Sequence, residues 1–502
     1  MTLQPDYDVI IVGGGIAGLG MAMRLADTGK RFLLIERGST VGGTWRDNTY
    51  PGIACDVPSH LYSYSFAPNP YWSRRFAPGR EIQNYLEKCF ATSDLAARTC
   101  FDTTVTAASW KEHASRWSVT LNHRGVRREI KGRSLVLATG RLTEPQFPDI
   151  PGLGATRLPI THTARWDVAT VTRGMRVGVL GTGASSVQLV PTLVRAGARV
   201  TVFQRNAAWV LPRNDHAYSE KEKDSFAHSP HLLKQHRDEL FAEAEKGYRA
   251  RSGDKLALAT LRHRAIAHLS HQVTNSALRR QLTPRYEIGC KRVTLSDDWY
   301  PSLTHEGTRL VTVGVRSVQH RGITTADGTA HPLDRLVLAT GFDTSMPPIA
   351  KDVVGESGLT LAQYWREGMR AHNSTVVAGF PNMFVLDGPN AALGHNSAVY
   401  MIETQIEYAI AAIDHIRSGR TLRVRKEVEQ SYVDAVDAAA VTTVWNTGCT
   451  SWYRHRGNGR LTLIWPRSAA SFRETVLPFT LTHFNTVAKD RPIATPAHGG
   501  QA

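Results

Sequence analysis

The feature that most constrains this chain is a strand, glycine-rich turn and helix pattern that occurs twice. The first copy, DVIIVGGGIAGLGMAMRLADTGKRFLLIE, places Gly13, Gly15 and Gly18 between an apolar strand and an amphipathic helix. Gly13 permits a tight turn, Gly15 lets the backbone approach a pyrophosphate, and Gly18 lets the helix pack closely on the strand. The second strand ends at Glu36, which we expect to hold a ribose hydroxyl. The pattern predicts a dinucleotide-binding unit at the start of the chain.

The second copy, MRVGVLGTGASSVQLVPTLVRAGARVTVFQR, has Gly181 and Gly183 but carries Ser186 at the third glycine position. We expect this small hydroxyl residue still to permit close packing of the helix. The second strand ends in Gln204 and Arg205 instead of an acid. A guanidinium at that point can bind a 2′-phosphate, which a carboxylate would repel. This unit is therefore predicted to bind NADPH rather than NADH, with an ordinary surface arginine as the alternative interpretation of Arg205.

The two units predict an α/β fold with two Rossmann-like domains. Apolar strands ending in ATG, at Gly140 and Gly341, flank the second unit. They indicate two crossings between a discontinuous FAD domain and an inserted NADPH domain. A charged, Ala- and Leu-rich stretch at about 215–280 predicts a helical excursion of the NADPH domain. The predicted segments are a first FAD part at 1–145, a linker at 146–171, an NADPH domain at 172–335 and a second FAD part at 336–502.

Length and composition narrow the class of protein. The 502 residues exceed the roughly 250 to 300 at which one core stops growing, so about two to three domains are expected. The net charge is +16, but Lys and Arg are spread along the chain, so nucleic-acid binding is not expected. No apolar run is long enough for a membrane span, and the N-terminus lacks the pattern of a signal peptide, which favours a cytoplasmic location.

The cysteines are scattered and form no metal-binding or redox motif. There are five of them, and no two have the spacing of a CxxC pair, so reduced thiols and no metal site are expected. They are Cys55, Cys89, Cys100, Cys290 and Cys449.

A long helix is predicted near the C-terminal end. The stretch FVLDGPNAALGHNSAVYMIETQIEYAIAAIDHI indicates a strand, a Gly-Pro-Asn turn and a helix. In a flavoprotein with two dinucleotide domains, such a helix points its N-terminal amides at the pyrimidine edge of the flavin. We expect it to favour the anionic reduced flavin.

A longer motif resembles one known family. From Gly42 the chain reads GGTWRDNTYPGIACD, which resembles the G-G-x-W-x-x-x-x-Y-P-G-x-x-x-D motif of Baeyer-Villiger monooxygenases. The stretches VFQRNAAWVLPR, IGCKRVTLSDDWYPSL and GPNAALGHNS also resemble that family, so the likeness runs from about Asp8 to Pro478. The first motif matches at Gly43, Trp45, Tyr50, Pro51, Gly52 and Asp56.

A second family fingerprint, F-x-G-x-x-x-H-x-x-x-W-[PD], is only half matched. It falls on TRLPITHTARWD, where His162, Trp166 and Asp167 are kept. Thr156 and Leu158 replace its phenylalanine and glycine. We expect His162 and Trp166 to anchor the linker and set the approach of the nicotinamide; a linker histidine bonded to backbone is the alternative for His162.

The resemblance implies a chemistry. It implies an FAD- and NADPH-dependent monooxygenase that forms a C4a-peroxyflavin from O2 and converts a ketone to an ester or lactone. Arg292 matches the family's catalytic arginine, Lys291 a residue near the 2′-phosphate, and Asp56 an acid that aims the arginine. A fixed guanidinium can stabilise the anions of such a reaction. Thr44 and Trp45 are expected at the FAD, and an ordinary ion pair is the alternative for Arg292 and Asp56.

Other interpretations stay open at this point. Trp45 and Tyr50 are expected to pack around the flavin rather than to take part in chemistry. Trp445, Cys449 and Trp452 either line the substrate cavity or pack in the core. Within oxygenases, N- or S-oxygenation is the main alternative to attack on a ketone. An NADPH-dependent flavin or disulfide reductase and a non-enzymatic flavin-binding protein are less favoured, and neither the substrate nor the oligomeric state follows from the sequence.

Overall fold

The computed structural model describes residues 6–167, 171–416 and 420–488. The strands are β1 (Asp6–Val12), β2 (Phe32–Ile35), β3 (Thr99–Cys100), β4 (Thr103–Lys111), β5 (Arg116–His123), β6 (Val126–Leu137), β7 (Ile160–His162), β8 (Arg176–Leu180), β9 (Arg199–Phe203), β10 (Val210–Leu211), β11 (Thr294–Leu295), β12 (Thr308–Val311), β13 (Val315–Gln319), β14 (Gly322–Thr325), β15 (Ala330–Pro332), β16 (Arg335–Leu338), β17 (Val353–Val354), β18 (Met383–Val385), β19 (Arg420–Val424) and β20 (Phe484–Ala488). The helices are α1 (Ile16–Ala26), α2 (Thr44–Asp47), α3 (Gly79–Thr92), α4 (Ala184–Arg195), α5 (Glu220–His228), α6 (Pro230–Arg251), α7 (Lys255–Gln272), α8 (Ser276–Leu282), α9 (Trp299–Thr304), α10 (Leu361–Tyr364), α11 (Ala398–His415), α12 (Lys426–Ala440) and α13 (Ala469–Val476).

The first sheet joins both ends of the chain into one domain. Its strand order is β17-β4-β5-β6-β1-β2-β3, and β18 pairs with the end of β6. Strand β1 runs parallel to β2 and β6, and Val9, Ile10 and Ile11 are fully buried because helices and loops cover both faces. Since β18 pairs with residues 135–137 of β6, the C-terminal part of the chain completes the first domain.

The second sheet is entirely parallel, with the order β12-β9-β8-β16-β7. Strand β7 lies in the predicted linker and β16 spans the predicted boundary at 335/336, yet both belong to this sheet. The chain therefore returns to the first domain only after the ATG turn at Gly341. An antiparallel sheet of β13, β14 and β15 packs beside it.

The helical excursion consists of α5, α6, α7 and α8 and reaches back to the first domain. Phe226 packs on His60, with ring centroids 5.0 Å apart. Glu245 accepts a hydrogen bond from Asn396 at 2.8 Å and also contacts His395. These contacts join the excursion to the first domain, in part at the loop that precedes α11.

Within the described ranges, no helix combines the length and apolar character that crossing a membrane requires. Nor do the same residues gather three or more His, Cys, Asp or Glu side chains in a group that could hold a metal ion.

Candidate active site

The first glycine-rich turn forms a tight cradle. A Cβ at Gly13 would lie 2.4 Å from the carbonyl oxygen of Ala138, and one at Gly18 would lie 1.8 Å from the carbonyl oxygen of Gly13. Gly13 also has a φ of 106°, which other residues rarely adopt. Helix α1 follows Gly15 without a side-chain cap, so its first amides remain available for phosphate oxygens. The cradle therefore fits the pyrophosphate of a dinucleotide.

Glu36 lies beside this cradle at the end of β2. It is 4% exposed, and its Oε2 accepts a hydrogen bond from the amide of Gly14 at 2.6 Å. Its Oε1 accepts from the amide of Gly38 at 2.7 Å and from Arg46 at 2.8 Å. The carboxylate is thus held rigidly, and Oε2 retains a lone pair for a ribose hydroxyl.

The first half of the 42–56 motif builds a wall of the same cradle. The amide of Gly42 donates to the carbonyl of Gly14 at 2.9 Å, and a Cβ at Gly43 would lie 3.0 Å from the Cα of Gly15. Trp45 is buried, and its Nε1 donates to the hydroxyl of Tyr62 at 3.3 Å, while Thr44 is exposed at the start of α2. The glycines are needed because two backbones approach closely here.

The second half of the motif docks onto the other domain. The hydroxyl of Tyr50 donates to Gln188 of α4 at 2.8 Å, and its ring packs in the core of the second domain. A Cβ at Gly52 would lie 2.6 Å from the carbonyl oxygen of Gln188. This places Tyr50 at the junction between the domains, where the sequence suggested packing around a flavin. The motif therefore links the first cradle to the second domain.

The second glycine-rich turn repeats the geometry of the first. A Cβ at Gly181 would lie 2.5 Å from the carbonyl oxygen of Ala339, whereas nothing lies within 4 Å of one at Gly183. Ser186 is fully buried, and its hydroxyl donates to the carbonyl of Gly181 at 2.8 Å. In the first unit, Gly18 has no side chain and packs directly against the carbonyl of Gly13; in the second unit, the hydrogen bond of Ser186 takes the place of that contact. Helix α4 also begins without a side-chain cap, so this cradle fits a second dinucleotide.

Arg205 and Lys291 bring two positive charges together beyond β9. Burial and then the positive charge of Arg205 lower the pKa of Lys291. The Nζ of Lys291 lies 4.7 Å from the ring centroid of Tyr286, and Arg205 is exposed. Neither cation forms an ion pair within the described part of the chain. The arrangement suits a doubly charged phosphate.

Arg292 and Asp56 form a two-pronged ion pair between the domains. Nε and Nη2 of the guanidinium each lie 2.6 Å from a carboxylate oxygen. Burial raises the pKa of Asp56, but the charge and hydrogen bonds of Arg292 outweigh it, so the net shift is downward. Asp56 in turn raises the pKa of Arg292. Both groups are therefore charged at neutral pH.

The pair is open to the crevice. The side chains of Arg292 and Asp56 are 34% and 26% exposed, although protein surrounds them on most sides. Nη1 of Arg292 donates no hydrogen bond to any residue that the structure describes. Nη1 is not among the buried atoms of the described residues, so it remains available to a further acceptor.

Several charged or polar groups near this pair were missed by the sequence reasoning. Arg213 donates to the carbonyl of Cys55 at 3.1 Å, next to Asp56. Arg141 pairs with Asp387 at 2.7 Å. Arg251 and Tyr453 both interact electrostatically with Arg292. Arg251 lies in the helical excursion without a motif around it, whereas the neighbouring Trp452 gave a signal for Tyr453.

His162 has partners for both ring nitrogens. Nδ1 accepts from the amide of Ala164 at 3.1 Å, and Nε2 lies 3.3 Å from the hydroxyl of Thr340. Burial, and then the charge of Arg165, lowers its pKa to about 4, so the ring is neutral at physiological pH. These contacts fix the linker to the turn after β16. The contribution of His162 to NADPH binding stays a prediction.

The two departures from the linker fingerprint pack away from the Arg292 pair. The hydroxyl of Thr156 donates to the carbonyl of Gln319 on β13 at 2.8 Å. Leu158 is 5% exposed and packs with Val318 and Ile323 of the antiparallel sheet. These residues therefore join the linker to β13 and β14.

The expectation that all cysteines are reduced is wrong for one pair. Cys290 and Cys449 form a disulfide, with Cα atoms 6.4 Å apart and a sequence separation of 159. Cys55, Cys89 and Cys100 are free and buried. The spacing gave no signal because only tertiary packing brings the segment before Lys291 against the 444–453 segment.

The remaining aromatic residues of that segment divide between core and surface. Trp445 is 1% exposed and packs with Cys290 and Ala392, while Trp452 is 38% exposed. Neither residue lies in the core of a sheet; both lie where the 444–453 segment meets the junction of the domains.

Known proteins share this architecture over nearly the whole chain. A family model for pyridine nucleotide-disulphide oxidoreductases matches residues 7–229. A Baeyer-Villiger monooxygenase of Streptomyces coelicolor is 39% identical, covering 98% of this chain and 95% of the relative. One of Pseudomonas aeruginosa is 37% identical, covering 95% and 91%. The chain belongs to the Baeyer-Villiger monooxygenase family. This confirms the predicted family and its class of enzyme, a flavoprotein monooxygenase.

Solved structures support the fold of this Baeyer-Villiger monooxygenase family member. A steroid monooxygenase bound to NADP is 29% identical and covers 96% of this chain and 100% of its own, with a TM-score of 0.83. A structure of OTEMO in complex with FAD and NADP is 26% identical, covers 97% and 100%, and has a TM-score of 0.85. The predicted α/β class with two Rossmann-like domains is confirmed.

Proposed function

We propose that this protein uses FAD and NADPH to insert one atom of O2 into a ketone, giving an ester or lactone. The observation that carries this proposal is the Arg292–Asp56 pair, which holds a permanent positive charge at the crevice between two dinucleotide cradles. Attack on a carbonyl creates a negative charge on oxygen, and a fixed guanidinium stabilises it without reorganising.

Each cradle has a cofactor that fits it. FAD fits the first cradle, with its pyrophosphate at the start of α1 and a ribose hydroxyl at Glu36. NADPH fits the second, with its pyrophosphate at the start of α4 and its 2′-phosphate between Arg205 and Lys291. FAD, when bound, supplies the hydride acceptor and the activation of O2. The side chains of this protein bind, orient and balance charge.

Asp56 is a positioning residue in this proposal. A free arginine samples many rotamers, and two hydrogen bonds from one carboxylate restrict Arg292 to one orientation. Because Arg292 keeps the pKa of Asp56 low, the acid stays ionised and serves as a counter-charge rather than a proton donor.

N- or S-oxygenation is the alternative, but no contact of the described residues favours it. Thr156 and Leu158, where the chain departs from the family's linker fingerprint, pack against the antiparallel sheet. A nucleophilic sulfide or amine also needs no cation to hold a carbonyl oxyanion, so the Arg292 pair is better explained by a ketone substrate.

The test is reduction of the FAD-loaded protein by NADPH without oxygen, followed by mixing with O2 and a panel of ketones, amines and sulfides. Ester or lactone formation, with one NADPH consumed per product, supports the proposal. Return of the oxidised flavin spectrum should be slow without substrate and faster with a ketone. Oxygenation of amines or sulfides alone would overturn the ketone assignment, and reoxidation that yields only hydrogen peroxide would overturn the oxygenase assignment.

A further inference from the structure

Tyr453 has a buried hydroxyl without a partner. The residue is 1% exposed, and its hydroxyl makes no hydrogen bond to any described residue. Its ring packs with Cys290, Ala392 and Trp445. A buried hydroxyl that loses its hydrogen bonds to water is destabilising, so native proteins usually provide a partner. A bound molecule can supply that partner.

Three segments of the active site meet at this ring. Cys290 directly precedes Lys291 and Arg292 and is bonded to Cys449, four residues before Tyr453. Ala392 lies in the loop before α11. The backbone carbonyl of Tyr453 also accepts from the amide of Thr462 at 3.2 Å, which fixes the segment on its other side. Tyr453 is thus held against the arginine segment by covalent and packing contacts.

The surroundings of the hydroxyl are rich in donors. Burial raises the pKa of Tyr453 and the charge of Asp56 adds to that shift, while the charges of Arg292 and Arg251 act in the opposite direction without outweighing burial, so the phenol keeps its proton. Nε1 of Trp445, in the same cluster, also has no partner within the described chain. A ligand that faces this group must therefore bring an oxygen acceptor.

Arg251 adds a second buried positive charge. It is 9% exposed and donates to the carbonyl of Gly247 at 2.7 Å. No carboxylate among the described residues forms an ion pair with it. Burial lowers its pKa to about 10, with Arg292 contributing, so it remains charged at neutral pH. Among the described residues, Asp56 is the one carboxylate paired with either guanidinium, which favours a ligand that carries or develops negative charge.

We propose that Tyr453 donates a hydrogen bond to the carbonyl oxygen of the ketone substrate, beside the guanidinium of Arg292. The proposal rests on the proposed function and identifies a further substrate-binding residue for it. A carbonyl oxygen has two lone pairs and can accept from both donors. When the carbonyl carbon forms its bond to the attacking oxygen, the C=O electron pair moves onto the carbonyl oxygen. Tyr453 and Arg292 then stabilise that negative charge, and the proton stays on the phenol.

Tyr453→Phe in the FAD-loaded enzyme removes the hydroxyl and keeps the ring. Cyclohexanone, 2-octanone and acetophenone serve as ketone probes, and methyl phenyl sulfide serves as a probe without a carbonyl. We expect the KM for the ketone to rise and ester formation to fall, together by about five- to tenfold, as for the loss of one hydrogen bond. Hydrogen peroxide should account for the lost product. FAD content, the oxidised flavin spectrum, the rate of reduction by NADPH and sulfoxide formation should stay as in the native enzyme.

Tyr300→Phe is the matched control, because Tyr300 is equally buried but lies on α9 in the second domain. An equal loss of ester and sulfoxide in Tyr453→Phe would overturn the proposal. Unchanged kinetics with the ketones would also overturn it, and would indicate that a water molecule is the hydrogen-bond partner of the hydroxyl. A changed spectrum of the oxidised flavin would also overturn it and assign the hydroxyl to an oxygen of the cofactor. If the native enzyme makes no ester, the proposed function fails. In that case the role of Tyr453 is decided by comparing the binding of cyclohexanone to the oxidised native enzyme with its binding to oxidised Tyr453→Phe.

Discussion

Arg292 and Asp56 are 236 residues apart in sequence, yet Nε and Nη2 of the arginine each lie 2.6 Å from an oxygen of the aspartate. The pair bridges the first domain and the segment that follows the helical excursion. Two parallel hydrogen bonds fix the plane of the guanidinium, and its third nitrogen, Nη1, donates no hydrogen bond to any described residue.

Replacement of Arg292 should uncouple the two halves of the reaction. Arg292→Ala removes the charge that stabilises the oxyanion, so ester formation should fall by about 100- to 1,000-fold. Hydride transfer needs no such charge, so NADPH consumption should continue and release hydrogen peroxide. Asp56→Ala should show a smaller loss of ester and a smaller release of hydrogen peroxide, because the arginine remains but its orientation is no longer fixed. Product, peroxide and NADPH are measured together, with Arg176→Ala, from the surface pair with Asp334, as the control. If Arg292→Ala formed ester at the native rate, the Arg292–Asp56 pair would have a structural role only.

Coenzyme preference should depend on Arg205. No described carboxylate forms an ion pair with Arg205 or Lys291, so both positive charges are available to a 2′-phosphate. Arg205→Ala should therefore raise the KM for NADPH by about tenfold or more and leave the KM for NADH nearly unchanged. Flavin reduction with each coenzyme measures the effect. Arg199→Ala, at the opposite end of β9, is the control. Equal use of NADPH and NADH by the native protein would contradict the assignment.

The His162 linker contact can be tested by flavin reduction. His162→Ala removes the contacts to Ala164 and Thr340 that fix the linker. If the linker positions the nicotinamide, reduction by NADPH should slow while FAD stays bound, as rapid-mixing absorbance would show. A lower melting temperature with an unchanged reduction rate would leave His162 with a structural role alone.

The disulfide predicts a thiol count. Denatured protein that has not been reduced should expose three reactive thiols, those of Cys55, Cys89 and Cys100, and all five after reduction. Cys290→Ser and Cys449→Ser should each add one free thiol and lower the melting temperature, because the bond restrains a long loop of the unfolded chain. Alkylation and intact mass give the counts.

Five thiols before reduction would restore the expectation from the sequence. Thiols that appear on anaerobic addition of NADPH alone would show that the flavin reduces this bond.

Acid should weaken the contact between the excursion and the first domain through His60. Burial, then the charges of His236 and Arg237, lowers the pKa of His60 from 6.5 to about 3. Below pH 6.5 the unfolded chain binds a proton that the folded protein does not, so the free energy of unfolding falls as the pH falls. Between pH 6.5 and 5 the loss is about 2 kcal/mol for one such group.

His60→Phe should remove this part of the pH dependence, because the ring contacts with Phe226 and Tyr218 are retained and Nε2 has no partner to lose. The urea midpoint of native and variant protein is compared at pH 7.5 and pH 5. His263→Phe, at an exposed position, is the control. Parallel losses in native protein and His60→Phe would show that other groups cause the acid sensitivity.

The sequence alone determined the two dinucleotide units, because their chemistry depends on local geometry. Gly13, Gly18 and Gly181 stand where a Cβ would collide with backbone, and Ser186 tolerates the tight packing because its hydroxyl bonds to the carbonyl it meets. The charged, Ala- and Leu-rich composition and the helical periodicity of the stretch at about 215–280 likewise predicted the helical excursion. Arg292 and Asp56 were identified only through the resemblance of long motifs, since nothing in their spacing shows that they touch.

Only the tertiary structure decided which distant residues meet. Cys290 and Cys449 pair, Tyr50 enters the core of the second domain, and the hydroxyl of Tyr453 is buried among donors because three segments far apart in sequence pack at one junction. Burial and charge at such a junction are sums over neighbours from every segment. A local pattern fixes the turn of a backbone, but it carries no information about which side chains from elsewhere will surround it.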